Sequence, residues 1–179
     1  MLSDEKIQLL NNYTCVMINL VEIYSNARNR MISVEKKYFA FQDIIRSLSS
    51  VRGILTDIIL KFDYTSQLIN VLQKETKLDN TKETCRNIFM ELNMFTRLQK
   101  ELVSQTEILK ITYKSNNLWN NVAEEELMKF LHYVEEMNVY TTKLQEVTQS
   151  LLREFEYIEN SVCGMMSIGS IDDIITTDD

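Results

Sequence analysis

LNNYTCVMINLVEIYSNARNRMISVEKKYFAFQDIIRSL, residues 10–48, decides the fold class of this chain. Leu10, Met17, Tyr24, Met31, Tyr38 and Ile45 recur every seven residues. Tyr13, Leu20, Ala27, Val34, Phe41 and Leu48 form a second series three residues behind. Alternating steps of three and four put both series on one stripe of a helix, in the a and d positions of a coiled coil. Beyond Leu48 the apolar series continues through Val51, Leu55, Ile58, Phe62, Thr65, Ile69 and Leu72, but the step from Leu48 to Val51 adds three where four is due. A stammer of this kind overwinds a supercoil locally, and Gly53 beside it suggests a slight bend. With Ser3 as N-cap and Asp4 and Glu5 suited to the positive end of the helix dipole, the pattern predicts one helix over about 4–74. Such a helix is ~105 Å long at 1.5 Å per residue, which implies a rod.

Composition agrees with helices throughout. The chain has 179 residues, no proline and three glycines, too little turn chemistry for a sheet protein of this size. The polar stretch Lys74–Lys82 predicts a turn, followed by a helix over about 82–114 that carries Cys85, Ile88, Leu92, Phe95, Leu98, Leu102 and Leu109. Asn116, Asn117, Asn120 and Asn121 mark the next break, since asparagine suits turns and left-handed positions. Asn121 with Glu124 reads as a capping box for a helix over about 122–162, whose Phe130, Met137, Leu144, Leu151 and Ile158 repeat every seven residues. Cys163-Gly164 fits a helix stop. The expected architecture is all-α: an elongated coiled coil, or an antiparallel three-helix bundle with one long N-terminal helix. It forms a single domain over 1–162, followed by a flexible acidic tail over 163–179. Ser170 and Thr176, each three residues before an aspartate, would suit a phosphorylatable docking peptide, although a frayed end is the plainer reading.

The residues that usually carry chemistry are scarce. His132 is the single histidine; Glu135 and Glu136 follow at helical spacing, but a di-iron carboxylate bundle needs two Glu-x-x-His motifs. Gly53, Gly164 and Gly169 form no phosphate loop. Glu124, Glu125 and Glu126 suit a helix N-terminus better than a cation site. Cys15, Cys85 and Cys163 are odd in number and far apart, which suggests neither a zinc site nor a disulfide framework and favours a reducing compartment. The expectation is a non-enzyme with no catalytic residue, cofactor or metal. A net charge of −7 argues against nucleic-acid binding through the whole surface; Arg28, Arg30, Lys36 and Lys37 are interrupted by Glu35. No basic-then-apolar leader or apolar run of ~18 residues is present, so neither export nor a membrane span is expected, and the Asn12-Tyr13-Thr14 sequon reads as chance.

Function is then expected to lie in partner binding. If the later helices pack back along 40–74, the seam of Leu10, Tyr13, Met17, Leu20, Tyr24, Ala27, Met31 and Val34 has no intramolecular cover. It becomes the expected interface for partner helices, unless the last helix descends to cover it. Methionines at helical spacing, such as Met17 and Met31, read as packing, and Trp119 reads as a cap on the bundle end rather than a partner anchor. By analogy of architecture, a hetero-oligomeric subunit of a cytoskeletal or spindle-type complex, augmin- or kinetochore-like and acting in cell division, is expected in the cytoplasm. Subunits of vesicle-tethering complexes, and self-associating structural or viral homo-oligomeric rods, are the alternatives.

Overall fold

The computed structural model describes residues 3–178, with side chains described through Ser161. It is all-helical among the described residues: α1 spans Asp4–Lys37, α2 Gln42–Lys74, α3 Leu78–Ser115 and α4 Asn121–Asp178. Helices adjacent in sequence pack on each other, and α4 closes the ring against α1. The backbones of the diagonal pairs α1/α3 and α2/α4 stay apart among the described residues, with only side chains meeting across the centre, so the section is a square of four antiparallel helices around one core.

The helix expected over 4–74 is therefore two helices, reversed at Tyr38–Phe41. The rod becomes a four-helix bundle, and the expected three-helix bundle gains α1 as a fourth member. Nothing in the local sequence forces this reversal. The gain is tertiary: folding α1 back buries Leu10, Met17, Leu20, Tyr24 and Ala27 in the core, each large side chain worth roughly 1.5–3 kcal/mol. The phase change read at Leu48 is the trace of the turn. The buried line of α2 is Ile44, Leu48, Val51, Leu55, Ile58, Phe62, Thr65, Ile69 and Leu72, an unbroken four–three alternation that starts at Ile44 rather than Ile45.

The other two turns fall where asparagine and polar residues announce them. Between α2 and α3 the Glu75 carboxylate accepts the amides of Thr76 at 3.1 Å and Lys77 at 3.0 Å. These bonds, the Lys77 amide first, hold the Glu75 carboxyl below its ordinary pKa. Between α3 and α4, Asn117 takes a left-handed φ of 57°, and Asn120 caps α4 by accepting the Ala123 amide at 2.8 Å. The cap is thus one residue before the expected Asn121. Ser3 holds the N-cap position of α1 without a side-chain cap bond, and α3 starts at Leu78, four residues before the expected start. The backbone of α4 runs helically past Cys163-Gly164 to Asp178, so the expected stop is not taken. The acidic tail 163–179, with Ser170 and Thr176, lies outside the residues whose side chains are described.

The core mixes apolar residues with threonines. Thr14, Thr65, Thr81, Thr106, Thr141 and Thr148 are buried, and each hydroxyl donates to the carbonyl four residues earlier at 2.6–2.9 Å. That bond satisfies the buried hydroxyl without a cross-helix partner. Gly53 lies within uninterrupted α2, and a Cβ built there meets nothing within 4 Å. Gly53→Ala is expected to raise unfolding free energy by about 0.5–1 kcal/mol through the unfolded-chain entropy it removes. Ile58→Ala in the core is expected to lower it by about 2–5 kcal/mol. Urea titrations followed by circular dichroism read both.

Candidate functional site

The eight seam residues of α1 stand inside the bundle. Leu10, Met17 and Tyr24 are fully buried, Leu20 and Ala27 nearly so, while Tyr13, Met31 and Val34 are half-buried against the core. The cover comes from the chain's own α2 and α4. Tyr13 pairs with Tyr140 at 6.1 Å between ring centroids, and the Lys143 ammonium lies 4.7 Å from the Tyr140 ring and 5.5 Å from that of Tyr13. Tyr24 stacks on Phe130 at 6.0 Å, and its hydroxyl donates across the bundle to Gln99 Oε1 on α3 at 3.4 Å. Both side chains are fully buried, and Gln99 Nε2 has no protein partner. Burial pushes the Tyr24 phenol far above its ordinary pKa.

The side chains that could carry chemistry lie apart. His132 is exposed, with Nε2 at 3.2 Å from Glu136 Oε1 one helical turn on. Cys15 is exposed, and Cys85 is buried with its thiol pushed up to about 11 by desolvation. Glu124 in the first turn of α4 and Glu125 and Glu126 just after it are exposed. Among the described residues, no group of three or more His, Cys, Asp or Glu side chains gathers where a metal could bind. Trp119 is half-buried in the α3–α4 loop, with the ammonium groups of Lys110 and Lys114 at 5.6 and 5.5 Å from its ring. At the same end, Tyr38 meets Tyr113 edge-on at 5.7 Å; burial first, with Tyr38 and Glu126 nearby, pushes the Tyr113 phenol up to about 12.

Two concavities lie between α2 and α3, one lined by Asp43, Arg46, Ile108 and Ile111 and one further along the two helices. The latter, a groove of about 500 Å³, is floored by Leu60, Tyr64, Met94 and Leu98. Leu60 is 63%, Tyr64 48% and Met94 45% exposed, and Met90 lies one turn from Met94 on α3 at 61% exposed. Lys61 bridges the two helices, its Nζ at 2.9 Å from Glu91 Oε2 and 3.8 Å from Met94 Sδ. Asp57 and Glu101 flank the groove beside Arg97. These residues fall outside the a and d positions, so the seams do not reveal them. A legible signal exists: Leu60 and Tyr64, and Met90 and Met94, are i, i+4 apolar pairs on the faces that the heptads assign to solvent.

No helix among the described residues is long and apolar enough to cross a membrane. Comparison with protein-family models, with curated proteins and with solved structures finds no match.

Two measurements test the buried polar groups. Tyr24→Phe leaves Gln99 without its hydroxyl donor and is expected to cost about 1–3 kcal/mol, whereas Tyr24→Phe with Gln99→Leu is expected to be near neutral or stabilising. A double-mutant cycle from chemical denaturation reads the difference. A group whose folded pKa is raised stabilises fully below its unfolded value and loses that contribution as pH rises through the folded one. Stability is therefore expected to fall from about pH 9 to 11 through Cys85 and from about pH 10 to 12 through Tyr113, as denaturation midpoints across alkaline pH would show.

Proposed function

We propose that this chain is a non-enzymatic helical subunit of a multi-protein assembly that receives a basic amphipathic helix of a partner protein in the α2–α3 groove. The observation that carries this reading is the groove itself, an open concavity between α2 and α3 with Leu60, Tyr64 and Met94 exposed along it. Helix-in-groove recognition uses apolar anchors at i, i+3, i+4 and i+7, and exposed methionines adapt to their shape. Charge complementarity selects the occupant. Lys61 is engaged with Glu91, which leaves Asp57 and Glu101 against Arg97 at the groove on a chain of net charge −7. Because the α1 seam is covered within the chain, the outer groove replaces it as the proposed contact surface.

The test compares wild type with Leu60→Glu/Met94→Glu and with the control Val139→Glu, an exposed position on α4. Surface changes of this kind are expected to alter stability by no more than about 0.5 kcal/mol. Tagged protein at native expression is expected to recover a fixed-ratio set of helical proteins. The groove variant is expected to lose them and the control to keep them, as quantitative mass spectrometry would show. Equal recovery by all three, or recovery of the tagged protein alone from wild type, would overturn the reading.

A further inference from the structure

We infer that α1 exchanges between two copies of this chain: the Tyr38–Phe41 turn opens, α1 and α2 become one continuous helix, and each α1 completes the other copy's bundle. This does not rest on the proposed groove, which contains no residue of α1.

Three observations carry it. The first is the chemistry of the turn. Tyr38-Phe39-Ala40-Phe41 has no glycine, proline, asparagine or aspartate. Every one of its residues is compatible with a helix interior. The other two turns are specified locally, by the Glu75 carboxylate on two amides and by Asn117 in the left-handed region. The second is the start of α2. Its N-cap is Phe41, which offers no side-chain acceptor, and the amides of Gln42, Asp43 and Ile44 find no backbone acceptor. In a continuous helix those three amides bond the carbonyls of Tyr38, Phe39 and Ala40. The third is the seam. Heptad spacing runs from Leu10 through Tyr38 and Phe41 to Leu48, so α1 and α2 present their core stripes to the same side of a straight helix, with a shift of a single position at Ile44/Ile45.

Exchange keeps the whole core. Leu10, Met17, Leu20, Tyr24 and Ala27 meet the same α2 and α4 side chains, supplied by the second copy, and Tyr24 meets that copy's Gln99. The hinge also gains apolar burial, because Phe39 is 76% and Phe41 37% exposed in the closed form and two hinges cross side by side in the exchanged one. Swapping an identical element is a low-cost route to a dimer, and a short connection whose residues favour straightening promotes it. The straight helix over 4–74 is ~105 Å long, and the dimer consists of two bundles joined end to end.

The experiment refolds the full chain from urea at low and at high protein concentration. Mass is measured by size-exclusion chromatography with light scattering, and shape by small-angle X-ray scattering. High concentration is expected to yield a dimer of the 21.1 kDa chain, elongated and slow to revert on dilution. Gln42→Pro fits the closed form, where residue 42 is the first helical position, and breaks the straightened helix. It is expected to cut the dimerisation constant by about a hundredfold or more. A Gly-Ser-Gly-Ser insertion between Ala40 and Phe41 is expected to abolish the dimer while keeping the folded monomer, and it decides the matter should Gln42→Pro fail to fold. Wild type that stays monomeric at every concentration would overturn the inference. So would a compact dimer, or one that persists unchanged in the variants that fold.

Discussion

Burial of the α1 seam between α2 and α4 is the constraint on which the rest of this molecule depends. Without α1, the remaining three helices would leave a trough along α2 and α4; without them, Leu10, Met17, Leu20 and Tyr24 would face water. At roughly 1.5–3 kcal/mol for each large side chain, this burial outweighs the lack of any local signal for reversal at Tyr38–Phe41. It also explains why an aromatic N-cap is tolerated at α2 and why Phe39 remains exposed at the tip: the turn's own bonds, from the Phe41 amide to the Tyr38 carbonyl at 2.8 Å and from Gln42 Nε2 to the Phe39 carbonyl at 3.4 Å, are supplemented by the packing of the helices it joins. The same feature gives the bundle an alternative way to satisfy the seam, with the α1 of a second copy.

Polar groups in the core are handled in two ways. The threonines bond carbonyls on their own helices, so they pack as small apolar residues and leave neighbouring helices free in register. Tyr24 and Gln99 instead join α1 to α3 through the centre, across helices whose backbones stay apart. A buried amide with one unpartnered nitrogen is costly in any arrangement that removes its hydroxyl donor, so the pair favours the register in which they meet. Exchange of α1 between copies keeps this pairing.

With the seam satisfied inside, the outer faces are what the bundle presents to a partner in the proposed function. Most of these are charged and solvated, with isolated ion pairs such as Arg52–Glu35 at 2.8 Å and Lys82–Glu159 at 2.5 Å. Exposed apolar side chains occur on several faces, and on the α2–α3 face Leu60, Tyr64 and Met94 surround a concavity between two packed helices. Were a helix to dock there as proposed, walls of this kind would need no ordering on binding, which lowers its entropic cost.

The helical class follows from residues alone: heptads through Leu10–Leu48, the absence of proline, and turn chemistry concentrated near residue 76 and at Asn116–Asn121 are local properties, and local properties are what a sequence displays. The stripe that must be buried was legible too, down to Leu10, Met17 and Tyr24. What covers that stripe was not, since an apolar seam has the same pattern whether its partner is another chain or a later helix of its own. The same seam ran through Tyr38–Phe41 without a break, so residue pattern favoured one helix where the structure has two; the shift from Ile45 to Ile44 was its single trace. Leu60, Tyr64 and Met94 carried a weak i, i+4 signal, but their joining into one groove depends on how α2 lies against α3. The sequence by itself determined helix content, the core stripe and two of the three turns. Only the tertiary structure decided the first reversal, the cover of α1 and the location of the open groove, because these depend on burial summed over distant segments rather than on any residue's neighbours in the chain.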